Sequence, residues 1–260
     1  MAAVEMLDIP SVKDRCSPEE WEARVNLAAL YRLVAYHGWD DLIFTHISAR
    51  VPGPDHHFLI NPYGMMFEEI TASSLVKIDV EGNIVEESPF FVNPAGFTIH
   101  SALHMNSENA HFIIHLHTDD GVAVSSQKHG LLPFCQTALG VYNDLAYHDY
   151  EGVALDLDER ERLVADMGDK SFMMLYNHGT LTVGETAGDA WIRMFFLERA
   201  CSMQIKALTA GGKDAIRLLD TDMQDRVEEQ TSPAFNGGGS FLAWPGLLRF
   251  LDRRDPSYRD

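Results

Sequence analysis

Apolar and polar positions along this 260-residue chain fall into two periods, punctuated by Pro-Gly turns. The first stretch is helical: Ser17-Pro18-Glu19-Glu20 joins a capping serine, a proline suited to the first helical position and a glutamate placed for a capping box. Leu27, Leu30, Tyr31 and Val34 then recur at helical spacing, and His37-Gly38 supplies the stop. Beyond Asp41 the period shortens. This predicts strands over 43–50, 58–60 and 75–80, with Pro52-Gly53-Pro54 and Pro62-Tyr63-Gly64 as turns. Residues 97–105 read as a helix, 112–117 as a buried strand and 119–127 as another helix, so strands and helices alternate through the centre. A longer helix over 185–208, striped by Ala190, Met194, Leu197 and Cys201, should end at Gly211-Gly212. Thr231-Ser232-Pro233 and Asn236-Gly237-Gly238-Gly239 predict a flexible linker before a last short helix near 241–251.

The expected organisation is one main α/β domain over 17–212, preceded by a loose arm over 1–16 and followed by a linker and helical extension over 213–260. Charge narrows its partners. The chain has 20 Lys and Arg against 39 Asp and Glu, a formal charge of -19, which repels phosphate backbones and anionic lipid. Nucleic acid and membrane surfaces are therefore disfavoured, and an anionic ligand would need locally placed cations or N–H groups. Cys16, Cys135 and Cys201 are odd in number and widely spaced, which suggests reduced packing residues rather than a disulfide framework or a thiolate metal site. No apolar run approaches membrane-spanning length, and a cytoplasmic location is expected.

The candidate chemistry lies in Ile113-Ile114-His115-Leu116-His117-Thr118. In a strand, positions two apart share a face, so His115 and His117 can point at one metal while Leu116 packs into the opposite layer. With 12 histidines in the chain such a pair also arises by chance, and a histidine that satisfies a core hydrogen bond is the commoner case. The third ligand tips the balance: His178 follows the apolar run 172–176, would arrive from a second strand, and precedes Gly179, which allows a sharp exit. Three neutral imidazoles with an open fourth position form the ligand set of a catalytic metal.

The order of a Pro-x-Gly turn, the H-x-H strand and Tyr176-Asn177-His178-Gly179 resembles the class II aldolase/adducin family over residues 20–212. The resemblance implies a three-layer α/β/α sandwich around a mixed or antiparallel sheet. It also implies a divalent metal, zinc first with iron, manganese or cobalt as alternatives, held by His115, His117 and His178 and polarising a carbonyl of a small carbonyl or carboxylate substrate. Tyr147 falls where aldolases of this family contribute a tyrosine acid from a neighbouring subunit, with His148 and Tyr150 as rivals, and a homotetramer is the expected assembly. One departure is functional. Where sugar-phosphate aldolases carry a proton-shuttling Glu after two serines, this chain has Pro94-Ala95-Gly96, and glycine is neither acid nor base. Thr45-His46 likewise replaces the family's Gly-Asn anion turn. Ile60-Asn61-Pro62-Tyr63-Gly64, the stretch over 71–77, Ala95-Gly96-Phe97-Thr98 and Ala146-Tyr147-His148-Asp149-Tyr150 resemble the adducin head instead.

Other groups have plainer readings beside functional ones. His46 with Arg50 could hold a carboxylate near the metal, or both could be solvated strand positions. His100 and His104, four apart, read as one face of an amphipathic surface helix rather than a second metal site. Asp119 and Asp120 read as first-turn acids of a helix. Two functions follow: a metal-dependent enzyme acting on a small carbonyl, hydroxy-acid or keto-acid substrate, first of all a lyase such as an aldolase or decarboxylase, with iron-dependent oxygenation open and sugar-phosphate aldolase disfavoured by Gly96, or a non-catalytic adducin-head-like assembly or binding module with a vestigial metal site.

Overall fold

The computed structural model describes residues 9–152 and 159–260, without the side chains of 94–98, 234 and 236. Helix α1 (Pro18–His37) starts where Ser17 Oγ accepts the Glu20 N–H at 3.1 Å and stops at Gly38, which is left-handed with φ 65°. The capping box is not formed by Glu20. Its carboxylate instead accepts from Arg24 Nε at 3.0 Å and Lys77 Nζ at 2.7 Å, because Arg24 is fully buried and needs charged partners.

Seven strands follow: β1 (His46–Arg50), β2 (Phe58–Ile60), β3 (Val76–Ile78), β4 (Phe112–Leu116), β5 (Leu145–His148), β6 (Phe172–Leu175) and β7 (Gly179–Gly184). They form one mixed sheet in the order β3-β2-β1-β4-β7-β6-β5, antiparallel throughout except for the parallel β5·β6 pair. Side-chain alternation gives each strand two faces. One face packs on α1, on α3 (Asp119–Ser125), α4 (Gln136–Tyr142), α6 (Ala187–Leu208) and on a C-terminal helix, through two apolar clusters. The other is covered by α2 (Pro94–Asn106) and α5 (Glu159–Met167). The result is the expected three-layer α/β/α sandwich.

The C-terminal region differs from its sequence reading. Helix α7 (Thr221–Pro233), a π-helical turn over Ala234–Gly238 and α8 (Gly239–Arg254) run on without an extended linker. Phe235 explains this: it is buried against Phe172 and Phe196, so the glycine-rich stretch is anchored by its one large apolar side chain. The last turn is anchored too, with Tyr258 fully buried and the Ala72 N–H bonded to its carbonyl at 3.0 Å. Residues 1–8 of the expected arm lie outside the described residues, while Val12 is buried and donates to Ser73 Oγ at 3.3 Å.

Candidate metal centre

Strand β4 sends Phe112, Ile114 and Leu116 into the α1 and α6 side and Ile113 toward α2 and α5. His115 shares the face of Ile113 by alternation. His117 lies just beyond the strand, and His178 sits in the three-residue turn between β6 and β7 rather than at a strand end. The register brings them together: Leu175 pairs with Gly179, and Thr180 pairs with Leu116.

Backbone strain is concentrated at this point. Four non-glycine residues among those described have positive φ, and three of them adjoin the cluster. Asn177 (φ 57°) precedes His178, Thr45 (φ 62°) precedes His46 and donates its hydroxyl to the His115 carbonyl, and Leu42 (φ 55°) follows Asp41. Such conformations cost about 1–3 kcal/mol each and persist where the surroundings fix a functional geometry. Gly179 does not make the sharp exit, a part taken by Asn177. Its role is close approach, since a Cβ there would lie 2.3 Å from the Leu116 carbonyl oxygen and 3.2 Å from His117 Cδ2.

The hydrogen bonds set the tautomers. His115 Nδ1–H donates to the Thr180 carbonyl at 3.0 Å, and His117 Nδ1 faces Asp41 Oδ2 at 3.2 Å. The Nε2 atoms therefore turn toward one another, 2.9 Å apart for His115 and His117 and 3.1 Å for His117 and His178. All three ligand atoms lie within 4.8 Å of one another. Imidazole lone pairs at this separation repel unless a cation or proton stands between them, so this donor set fits a metal ion with one side open. Burial, then the charges of neighbouring imidazoles, push protonation of His115 well below its usual range and that of His178 down to about 4. Both are neutral and ligand-competent at pH 7. Asp41 gave no signal in the sequence, since 76 positions separate it from the histidine it orients.

The remaining candidates are dispersed. Arg50 is four residues from His46 along β1, on the order of 13 Å at strand rise, and its guanidinium donates to the His104 and Ser107 carbonyls at the end of α2. It caps a helix C-terminus instead of holding a carboxylate beside the imidazoles. His46 does belong to the site's face: it pairs with His115 across β1·β4 and is buried. Tyr147 lies on the other side of the sheet, its hydroxyl accepting the Leu131 N–H at 3.0 Å and its ring stacked on Tyr176 at 5.2 Å. Within the chain it does not meet the imidazoles. Tyr150 does, its ring centroid 6.1 Å from that of His178 with about half its surface exposed. His148 is buried and bonded through Nδ1 to Asp166 Oδ2 at 2.7 Å. Asp119 and Asp120 occupy the first turn of α3, where Thr118 is the cap.

His100 and His104 correct the surface-helix reading, being 3% and 1% exposed. Spacing alone does not reveal which face of a helix is covered, and here β1 covers it. A buried carboxyl was also missed. Glu198 of α6 accepts from Thr118 and Thr180 hydroxyls, and burial outweighs these bonds to push its pKa up to about 7.

No helix among the described residues is long and apolar enough to cross a membrane. A sequence profile for the Class II Aldolase and Adducin N-terminal domain matches residues 25–205. A Caulobacter vibrioides protein named as a candidate aldolase class 2 protein is 61% identical over 250 residues, which cover 96% of this chain and 96% of that one. Mouse alpha-adducin is 41% identical over 241 residues, covering 88% of this chain and 33% of its own length. The solved L-fuculose 1-phosphate aldolase from Glaciozyma antarctica PI12 has a TM-score of 0.80 and 27% identity, covering 98% of this chain and 97% of that one. With the profile spanning well over half of the residues and the sandwich presenting three convergent imidazoles, the chain belongs to the class II aldolase and adducin N-terminal domain family.

Proposed function

We propose that this protein is a divalent-metal-dependent lyase of the class II aldolase type, acting on a small unphosphorylated hydroxy or keto carbonyl compound. The observation that carries the reading is the convergence of three imidazole Nε2 atoms, two of them aimed by Nδ1 contacts to Thr180 and Asp41. A scaffold has no chemical need of that arrangement. A divalent ion bound there, zinc first among the candidates, would act as a Lewis acid toward a carbonyl oxygen. Tyr150, with its ring centroid 6.1 Å from that of His178, is the phenol this reading assigns to proton exchange.

A phosphorylated substrate is disfavoured by this chain's own residues. Gly96, in the first turn of α2, brings no carboxylate, and Pro94 and Ala95 bring no hydroxyls. The Thr45 hydroxyl is already committed to the His115 carbonyl. A homotetramer is part of the proposal, because Leu42, Phe44, Tyr63 and Phe91 are exposed near Asp41 and would suit a subunit boundary.

The test combines elemental analysis with turnover. The reading expects about one divalent ion per chain, cleavage or decarboxylation of a member of a panel of unphosphorylated carbonyl acids, and loss of both in His115→Ala. A second reading, a non-catalytic adducin-head-like assembly module, is favoured by the 41% identity to mouse alpha-adducin. Metal without turnover across the panel would support it instead.

A further inference from the structure

Beside the three imidazoles, α2 lays His100 and His104 against Ser48 of β1. Ser48 Oγ lies 2.6 Å from His100 Nδ1 and 2.7 Å from His104 Nε2, and His104 Nδ1 lies 2.6 Å from the Ala110 carbonyl oxygen. These contacts admit one proton order. A carbonyl only accepts, so His104 carries its hydrogen on Nδ1 and presents Nε2 as an acceptor. Ser48 spends its single hydroxyl hydrogen on that Nε2. Its oxygen must then accept from His100 Nδ1–H. His100 Nε2 is left as a bare lone pair, buried and without a partner among the described residues.

His46 stands next to it. Their ring centroids are 6.2 Å apart, and His46 Nε2 is likewise buried and unpartnered among the described residues. Among the described residues no hydrogen bond fixes which nitrogen of His46 holds the proton, so it can donate. Both rings are buried, and neither has a carboxylate within ion-pair distance among the described residues, so nothing there holds a charge on them. His46 pairs with His115, an arrangement that sets Cβ atoms about 5 Å apart on one face.

Resting on the metal-dependent reading, we propose that His46 and His100 form a neutral notch beside the three-imidazole cluster that receives an uncharged hydroxyl of the ligand. His100 Nε2 accepts that hydroxyl's hydrogen, and a ring N–H of His46 donates to its oxygen. A buried lone pair without a partner requires a donor. Carboxylate, phosphate and carbonyl groups offer only acceptors, and an ammonium would be buried there without a counter-charge. A hydroxyl donates and accepts at once, and it reproduces the bonds of any water it displaces. The substrate class narrows accordingly to carbonyl compounds carrying a free hydroxyl next to the metal-binding oxygens.

Acetohydroxamate and glycolohydroxamate test this on the full-length zinc-loaded protein, since they share the metal-binding group and differ by one hydroxyl. Calorimetry should give a five- to tenfold preference for glycolohydroxamate. His100→Phe and His46→Phe should each bring the ratio near one while zinc content and acetohydroxamate affinity hold. If His100→Phe fails to fold, Ser48→Ala, which keeps both rings but frees the tautomer, should still reduce the preference. Nitrogen-15 spectra of the metal-free protein should show His100 protonated at Nδ1 alone. A His100 protonated at Nε2 overturns the notch, as does equal binding of both probes to zinc-loaded wild type, which would leave a trapped water only. Failure of the wild type to take up zinc overturns the metal reading and the notch together, whereas zinc uptake without hydroxyl preference overturns the notch alone.

Discussion

Asp41 Oδ2 lies 3.2 Å from His117 Nδ1, and this contact turns the opposite ring nitrogen toward His115 and His178. The carboxylate comes from a tight turn closed by the Phe44 N–H on the Asp41 carbonyl at 2.8 Å, with Leu42 held at positive φ. Removing such an orienting group typically costs 10- to 100-fold in metal affinity. Asp41→Ala should therefore bind zinc about 10- to 100-fold more weakly while melting like wild type without metal, as measured by chelator competition. Unchanged affinity would mean that His117 is oriented by something else.

Gly179 is fixed by space. Gly179→Ala forces a Cβ against the Leu116 carbonyl and the His117 ring, so β4 and β7 must separate where the ligands meet. The expected cost is about 1–3 kcal/mol in denaturant unfolding, with metal binding lost in the same variant. Asn177→Ala, which loses a residue tolerant of the left-handed region, should show a milder form of both effects.

Arg50 is expected to matter for stability and not for the ligand. Its bonds to the His104 and Ser107 carbonyls are charge-assisted, worth roughly 1.5–3 kcal/mol. Arg50→Ala should lose that stability in guanidinium unfolding and keep full zinc content. Loss of zinc from the folded variant would restore a role for Arg50 at the site.

Glu198 should make stability fall as pH rises. Its pKa is raised from 4.5 to about 7, so between these values the folded state binds more protons than the unfolded chain. The contribution of the neutral carboxyl is fully present below about pH 4.5 and is lost as pH climbs through 7, a swing of roughly 3 kcal/mol at 1.36 kcal/mol per unit. Glu198→Gln keeps one oxygen to accept from a threonine hydroxyl and turns an N–H toward the oxygen of the other, so its unfolding free energy should lack that component of the decline over this interval. A variant that tracks wild type from pH 4.5 to 7 would show that the carboxyl is ionised throughout.

Metal itself should stabilise the fold. An ion that binds only the folded chain adds about 2.7 kcal/mol at a concentration 100 times its Kd. Zinc should raise the melting temperature of wild type and leave that of His178→Ala unchanged, as followed by thermal scanning.

Local pattern carried much of this into the sequence. Ser17, Pro18 and Gly38 bound α1 as read, because capping depends on residues within one turn. The alternation of β4 placed His115 and Leu116 on opposite faces for the same reason. Glu20 shows the limit: local rules offer it a capping box, and a buried Arg24 claims it instead. Phe235 shows another, since a glycine-rich stretch reads as a linker until the aromatic cluster that anchors it is known.

The sequence by itself determined the alternating strands and helices, the face of His115, the family and the residue types of the imidazole cluster, all of which depend on spacing and side-chain chemistry. Only the tertiary structure decided that Asp41 orients His117, that Arg50 closes α2, that Tyr150 and not Tyr147 meets His178, and that Ser48 orders the protons between His104 and His100. Each of these joins positions far apart in the chain through strand register and helix packing. No periodicity records such pairings, because hydrogen-bond order and burial are properties of the space between elements.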